Sequence, residues 1–229
     1  MTFEKVNSKV VKVNLATGGD VLARKGAMLY FTGQVRFVPH GPGGAAGGGA
    51  MGAMGGVVGM AGRAMAGEHQ VMMAATGNGE VFYGRAGLHV TVVTLQGNRL
   101  VVESSRLLAH TANLQSAVVP LSSGGSGGGG LRGMVRGAVT GQGMFTTQLS
   151  GNGAVVLLSH GGTIELPVRS GGVTVVDPQA YVGHVGNVQV DLSAQVGWRD
   201  AVGRGAGEAM QLKLTGDGVV YVQASEQKL

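Results

Sequence analysis

Six histidines and twelve carboxylates are the groups in this 229-residue chain suited to acid–base or metal chemistry, and their spacing argues against that use. His110 and His184 are each followed three residues later by an asparagine, Asn113 and Asn187. A metal site repeated in this way needs a third ligand at the corresponding place. The chain supplies Phe31 and Gln34 there, which points to a repeated strand rather than a coordination shell. No His-x-His occurs, which counts against a metal-binding cupin. Arg24, Glu103 and Asp177 share one equivalent position and read as charge variation on a turn. General acid–base catalysis needs such groups gathered in a pocket, and no spacing here gathers them. The absence of cysteine removes thiolate metal sites, a cysteine nucleophile and a disulfide framework. The expectation is a protein that is not an enzyme, with no catalytic residue, metal or cofactor.

Glycine is the other feature with chemical meaning, at 45 residues, in a chain that is 44% hydrophobic and only 13% charged. Collagen requires a strict Gly-X-Y period and a disordered chain is poor in branched aliphatics, so this chain is expected to fold. No Gly-Lys-Ser/Thr follows a glycine run, which excludes a P-loop, and no strand–GxGxxG–helix unit stands in what reads as antiparallel β. Gly41 to Gly62 is uncharged over 22 residues, but half of them are glycine and none is leucine, isoleucine or phenylalanine. A membrane-spanning helix is therefore not expected. A net charge of +5 and a pI near 9.8 admit an acidic partner such as RNA or anionic lipid, although no run of lysine or arginine occurs. Met1 to Leu15 alternates lysine with valine and reads as neither a secretory signal nor a transit peptide, so the expected location is cytoplasmic.

The elements that position these residues emerge from an internal repeat. LARKGAMLYFTGQV (Leu22 to Val35), VVESSRLLAHTANL (Val101 to Leu114) and VVDPQAYVGHVGNV (Val175 to Val188) superimpose without gaps at offsets of 79 and 74 residues. Gly18-Gly19, Gly97-Asn98 and Gly171-Gly172 precede them as turns. Upstream lie alternating strands carrying Val11, Val13, Leu15; Val90, Val92, Thr94; and Ile164, Leu166, Val168. Gly77-Asn78-Gly79, Gly151-Asn152-Gly153 and Gly216-Asp217-Gly218 separate further apolar runs and predict three hairpins. The last hairpin, Met210 to Ala224, has no counterpart at the N-terminus. It is expected to complete the module begun by Val6 to Val38, closing three modules into a ring that hides strand edges. The expected fold is all-β, a single domain 1–229 with modules 1–40 completed by 208–229, 67–121 and 143–193. Gly-rich, partly helical linkers fill 41–66, 122–142 and 194–207.

The linkers hold the candidate interaction surface: Met51, Met54, Met60, Arg63, Arg132, Arg136, Trp198, Arg199 and Arg204. A short helix around Met51 to Met65 would present adaptable thioethers, Trp198 would anchor the third linker, and the arginines would form one basic face if the linkers emerge together. Phe82, Tyr83, Tyr181 and Tyr221 fall on strands and are assigned to core packing rather than to stacking on RNA bases.

The stretches GDVLARKGAMLYFTG, GNGEVFYG, LVVESSRLLAH, FTTQLSGNGAVVLLSHG, VDPQAYVGH and GEAMQLKLTGDGVVYVQASE resemble the bacterial members of the altered inheritance of mitochondria protein 24 family across essentially the entire chain. The resemblance implies a fold similar to the tryptophan RNA-binding attenuation protein (TRAP), a short double-stranded β-helix repeated three times about a pseudo-threefold axis. It implies no catalytic residue to carry over. Fungal members are associated with the mitochondrial inner membrane and with organising membrane-shaping complexes. The functional expectation is a non-enzymatic scaffold or assembly protein, peripheral to the inner membrane or free in the cytoplasm. Its expected partner is another protein or a second copy, with no small-molecule substrate. The alternative is RNA or small-ligand binding by the TRAP-like fold.

Overall fold

Alternation of apolar residues builds most of the described residues into strands. A computed structural model of the protein describes residues 2–40, 71–121, 145–194 and 210–226. The first block contains β1 (Phe3–Asn7), β2 (Val10–Asn14), β3 (Val21–Arg24), β4 (Met28–His40) and β5 (Met72–Tyr83). The second contains β6 (His89–Glu103), β7 (Leu107–Thr111), β8 (Gln115–Pro120) and β9 (Phe145–Ser159), and the third β10 (Thr163–Val168), β11 (Thr174–Val176), β12 (Tyr181–Ala194) and β13 (Met210–Gln223). The fold is all-β, and every ladder among the described residues is antiparallel. The described helical residues are the four-residue α1 (Leu15–Gly18) and a single 3-10 turn at Ser104–Arg106. Both stand outside the linkers, where helix was expected. Asn14 caps α1 through a hydrogen bond from the Ala16 amide to its side chain. Among the described residues no helix is long and apolar enough to cross a membrane.

One pairing scheme recurs in each block. A long strand near the end of the block, β5, β9 or β13, pairs along one edge with the block's opening strands. On the other edge β5 takes β4, β9 takes β7 and β8, and β13 takes β12. A register shift falls at the same repeat position in all three, at Met28/Tyr30, Leu107/Ala109 and Tyr181/Gly183.

This pairing corrects three expectations. First, β13 ladders with β10, β11 and β12, so the C-terminal segment completes the third block and not the one begun by Val6 to Val38. The blocks are consecutive in sequence, and the glycine-rich stretches fall between strands that pair with each other. Second, Gly77-Asn78-Gly79, Gly151-Asn152-Gly153 and Gly216-Asp217-Gly218 are not hairpin turns. Each lies inside one continuous strand, β5, β9 or β13. At the first of them Gly77 has φ +119, and a Cβ there or on Gly79 would run into the backbone carbonyls of Gln34 and Thr32 on β4. The glycines let a long strand bend while its neighbour stays in register. Third, Gly97-Asn98 is an irregularity inside β6, between Gln96 and Arg99, and not a turn between strands.

The core is divided along the same lines. The first apolar cluster joins Val11, Val13, Val81 and Tyr83 of block one to Leu108, Val156 and Leu158 of block two. The next joins Leu100, Leu149 and Leu157 to Val182 and Tyr221 of block three. The last is made of Leu121 with Val176, Tyr181, Leu212, Leu214 and Val220.

Candidate functional site

Blocks meet edge to edge, and the repeated histidines sit at those junctions. Between the first two, Val21, Leu22 and Ala23 of β3 face Thr111, His110 and Ala109 of β7. Between the second and third, Leu100, Val101 and Val102 of β6 face Val185, His184 and Gly183 of β12. His110 is buried, and its Nδ1–H donates to the Thr111 carbonyl at 2.9 Å. His184 Nδ1 is hydrogen-bonded to the Tyr181 hydroxyl at 2.7 Å. Burial pushes the pKa of both below the usual imidazole value, that of His184 to about 4 with help from the positive charge of Arg99. Both rings are therefore neutral at pH 7. Among the described residues no three His, Asp or Glu side chains group as metal ligands.

This burial has a pH signature. An unfolded histidine takes up a proton as the pH falls through about 6.5, whereas folded His184 resists until about 4. Stability is thus at its plateau above pH 6.5 and declines between pH 6.5 and 4, by roughly 3 kcal/mol from this residue. Urea titrations across that range should show the decline. The variant His184→Phe, which places there the residue type found at position 31, should remove this residue's share of the decline and leave that of His110, while losing some stability because the Tyr181 hydroxyl loses its partner.

Arg24, Glu103 and Asp177, the varied turn position, serve the junctions and turns. Glu103 accepts from the Ser105 amide at 3.2 Å and Asp177 from the Gln179 amide at 2.6 Å, each tying its own turn. Arg24 reaches from block one to the Ser105 carbonyl of block two at 2.7 Å. Tyr83, Tyr181 and Tyr221 are buried, in keeping with core packing.

A different group of residues forms the exposed candidate site. Met28, Leu29, Tyr30 and Phe31 open β4 and are 40%, 52%, 53% and 42% exposed, whereas the equivalent Leu107, Leu108, Ala109 and His110 are all at or below 4%. Tyr30 stacks on Phe82 with centroids 4.2 Å apart, and Phe31 meets Phe37 edge-on at 5.5 Å. The result is an aromatic strip on a strand that, among the described residues, pairs on one edge only. Sequence reasoning treats it as one more copy of the repeated strand. The available signal is the pair Tyr30-Phe31, standing where the other copies carry Ala109-His110 and Gly183-His184. Exposed Val173 and Val175 extend a second apolar edge along β11.

Met51, Met54, Met60, Arg63, Arg132, Arg136, Trp198, Arg199 and Arg204 all lie outside the described residues. So does a formal Gly-x-Ser-x-Gly match at Gly124 to Gly128.

The family model described as "Mitochondrial biogenesis AIM24" matches residues 1–225. No curated protein matches the sequence. The crystal structure of protein SPYM3_0169 from Streptococcus pyogenes is similar in fold, with a TM-score of 0.68 at 19% identity, over 98% of this chain and 92% of that one. With a family match running through all three blocks and both histidine junctions, the chain belongs to the AIM24 family.

Proposed function

We propose that this protein is a non-enzymatic scaffold or assembly factor that works through protein–protein contacts, in the cytoplasm or peripheral to the inner membrane. The observation that carries the reading is the exposed strip Met28 to Phe31, uncharged and aromatic at a strand edge. Edge strands of this kind are normally blunted by charge, proline or a covering element, and an unblunted one serves as an interaction surface. The buried, neutral histidines favour a structural over a catalytic use of the chemically competent groups. In the same reading, the three blocks are TRAP-like modules carried into one another by one repeated rotation, a pseudo-threefold left open in the chain because β4 and β11 do not pair with each other among the described residues. The thrice-repeated pairing scheme and the coincident register shifts support that arrangement.

RNA or small-ligand binding is the second reading, favoured by the Tyr30–Phe82 stack. Its weakness is the neighbouring cation: Lys12, paired opposite Phe82, lies 3.3 Å from Glu4 and 3.5 Å from Glu80. Affinity capture from the native host separates the two. The wild type should retain a specific protein, and Leu29→Glu/Phe31→Glu should lose it while keeping its fold by circular dichroism. Retention of nucleic acid, seen as excess absorbance at 260 nm, would move the assignment to RNA, and a monomer that retains nothing would remove the scaffold reading.

A further inference from the structure

The two junctions inside the chain use one register, which specifies a third. Leu22 faces His110 and Val101 faces His184; carried through the repeat, Val175 of β11 should face Phe31 of β4. On either side the same rule places Val176 opposite Tyr30 and Thr174 opposite Thr32. Among the described residues no such ladder forms within the chain: β4 pairs with β5 and β11 with β13. The edges are correspondingly bare. Leu22 and Val101 are 5% and 8% exposed, but Val175 is 50%; His110 and His184 are 2% and 4%, but Phe31 is 42%.

We propose that these two edges pair with a second copy of the same chain, β11 of one molecule against β4 of the next, in the register Val176–Tyr30, Val175–Phe31, Thr174–Thr32. This deepens the scaffold reading by naming a partner for its exposed strip, and it rests on that reading for the strip's role. The interface is heterologous, since two different edges meet, so copies whose rotation closes form a ring, the smallest being a reciprocal dimer, and copies whose rotation does not close extend as an open array. Neither edge carries a charge from Met28 to Thr32 or from Val173 to Val176, so nothing repels the approach of another strand. Continued by one pair, the register puts Asp177 opposite Leu29. The contact that Arg24 makes with Ser105 in the first junction corresponds here to Asp177 and Gly26, next to Lys25, whose charge is opposite to that of Asp177. The histidine of the inner junctions becomes phenylalanine at this one. An imidazole is positioned by its hydrogen bond inside a permanent junction, whereas a phenyl ring leaves no polar atom unsatisfied whether the edge is covered or free.

The absence of cysteine makes the test clean. Phe31→Cys and Val175→Cys are prepared as separate proteins, mixed and mildly oxidised; both positions are exposed, so each variant should fold. The expected result is a disulfide-linked dimer of one of each, at twice the 23.0 kDa chain mass, and no such dimer when Val175→Cys is replaced by Val6→Cys on the exposed part of β1. Cross-linking confined to a single chain in Phe31→Cys/Val175→Cys, or a light-scattering mass of one chain for the wild type, overturns the proposal. Capture from the host reads the scaffold assignment separately. A monomer that still retains another protein sinks only the self-pairing, and a self-paired protein that retains nothing sinks only the scaffold.

Discussion

Removing residues 210–229 should unfold the third block and loosen the second, while leaving the first as a folded fragment. β13 supplies the whole described ladder of β10 and of β11 and one long edge of β12, so its loss orphans three strands together. It also contributes Leu212, Leu214, Val220 and Val222 to the third apolar cluster and Tyr221 to the second. A buried Leu, Val or aromatic side chain contributes about 1.5–3 kcal/mol, so these five are worth roughly 10 kcal/mol, comparable to the entire stability of an ordinary domain. The first cluster contains no residue of β13. Limited proteolysis of the truncated protein should therefore degrade the region after about residue 160 quickly and leave a resistant N-terminal piece. A truncated protein as resistant as the full chain throughout would contradict the observed pairing. Loss of the first block before the second would instead restore the pairing anticipated from the sequence, in which this segment completes the opening module.

The second large effect is expected at a bend glycine. Gly77→Ala places a methyl group against the Gln34 carbonyl of β4 in a backbone held at φ +119, a conformation that L side chains rarely adopt. Neither neighbour is a flexible side-chain end that can swing aside, so the β4–β5 ladder must shift or break. A cost of roughly 3–5 kcal/mol follows, or a fall in Tm of about 10 °C for a chain of this size. Gly97→Ala is the matched comparison. Gly97 also has positive φ, +79, but a Cβ there meets nothing within 4 Å, so only the conformational cost of about 1 kcal/mol applies. Thermal melts of the two variants should differ several-fold in their shift. Equal shifts would mean that backbone conformation alone, and not the close approach of two strands, selects glycine at the bend.

The candidate site was half legible. The repeat that aligns Phe31 with His110 and His184 is visible in the residues alone, and it correctly marks three equivalent positions on three strands. Which of the three stays exposed is not visible. MLYFT, LLAHT and YVGHV have similar hydropathy, and burial depends on whether another strand lies alongside. The burial of Tyr83 was legible for the opposite reason, because it sits in phase with Ala75 and Val81 on a strand whose burial alternates around it, whereas Tyr181 and Tyr221 stand in runs of consecutive buried residues.

What the sequence determined by itself is local or repeated: strands from period-two alternation, the absence of thiol chemistry, three copies of one unit, and glycine wherever positive φ or close approach demands it. Asn-Gly and Asp-Gly report the backbone angles of two or three residues, and those angles serve both a reversal and a bend. Tertiary structure alone decided between them, since the presence of β4 in register past Gly77 and of β12 past Gly216 makes each site a bend within one strand. It alone also decided that β13 joins the third block and that β4 and β11 each pair on one edge only among the described residues. The physical reason is common to all three outcomes. A β-ladder is made of main-chain hydrogen bonds that every strand offers alike, so the choice of partner comes from shape and burial summed over distant segments, and no short stretch of residues encodes it.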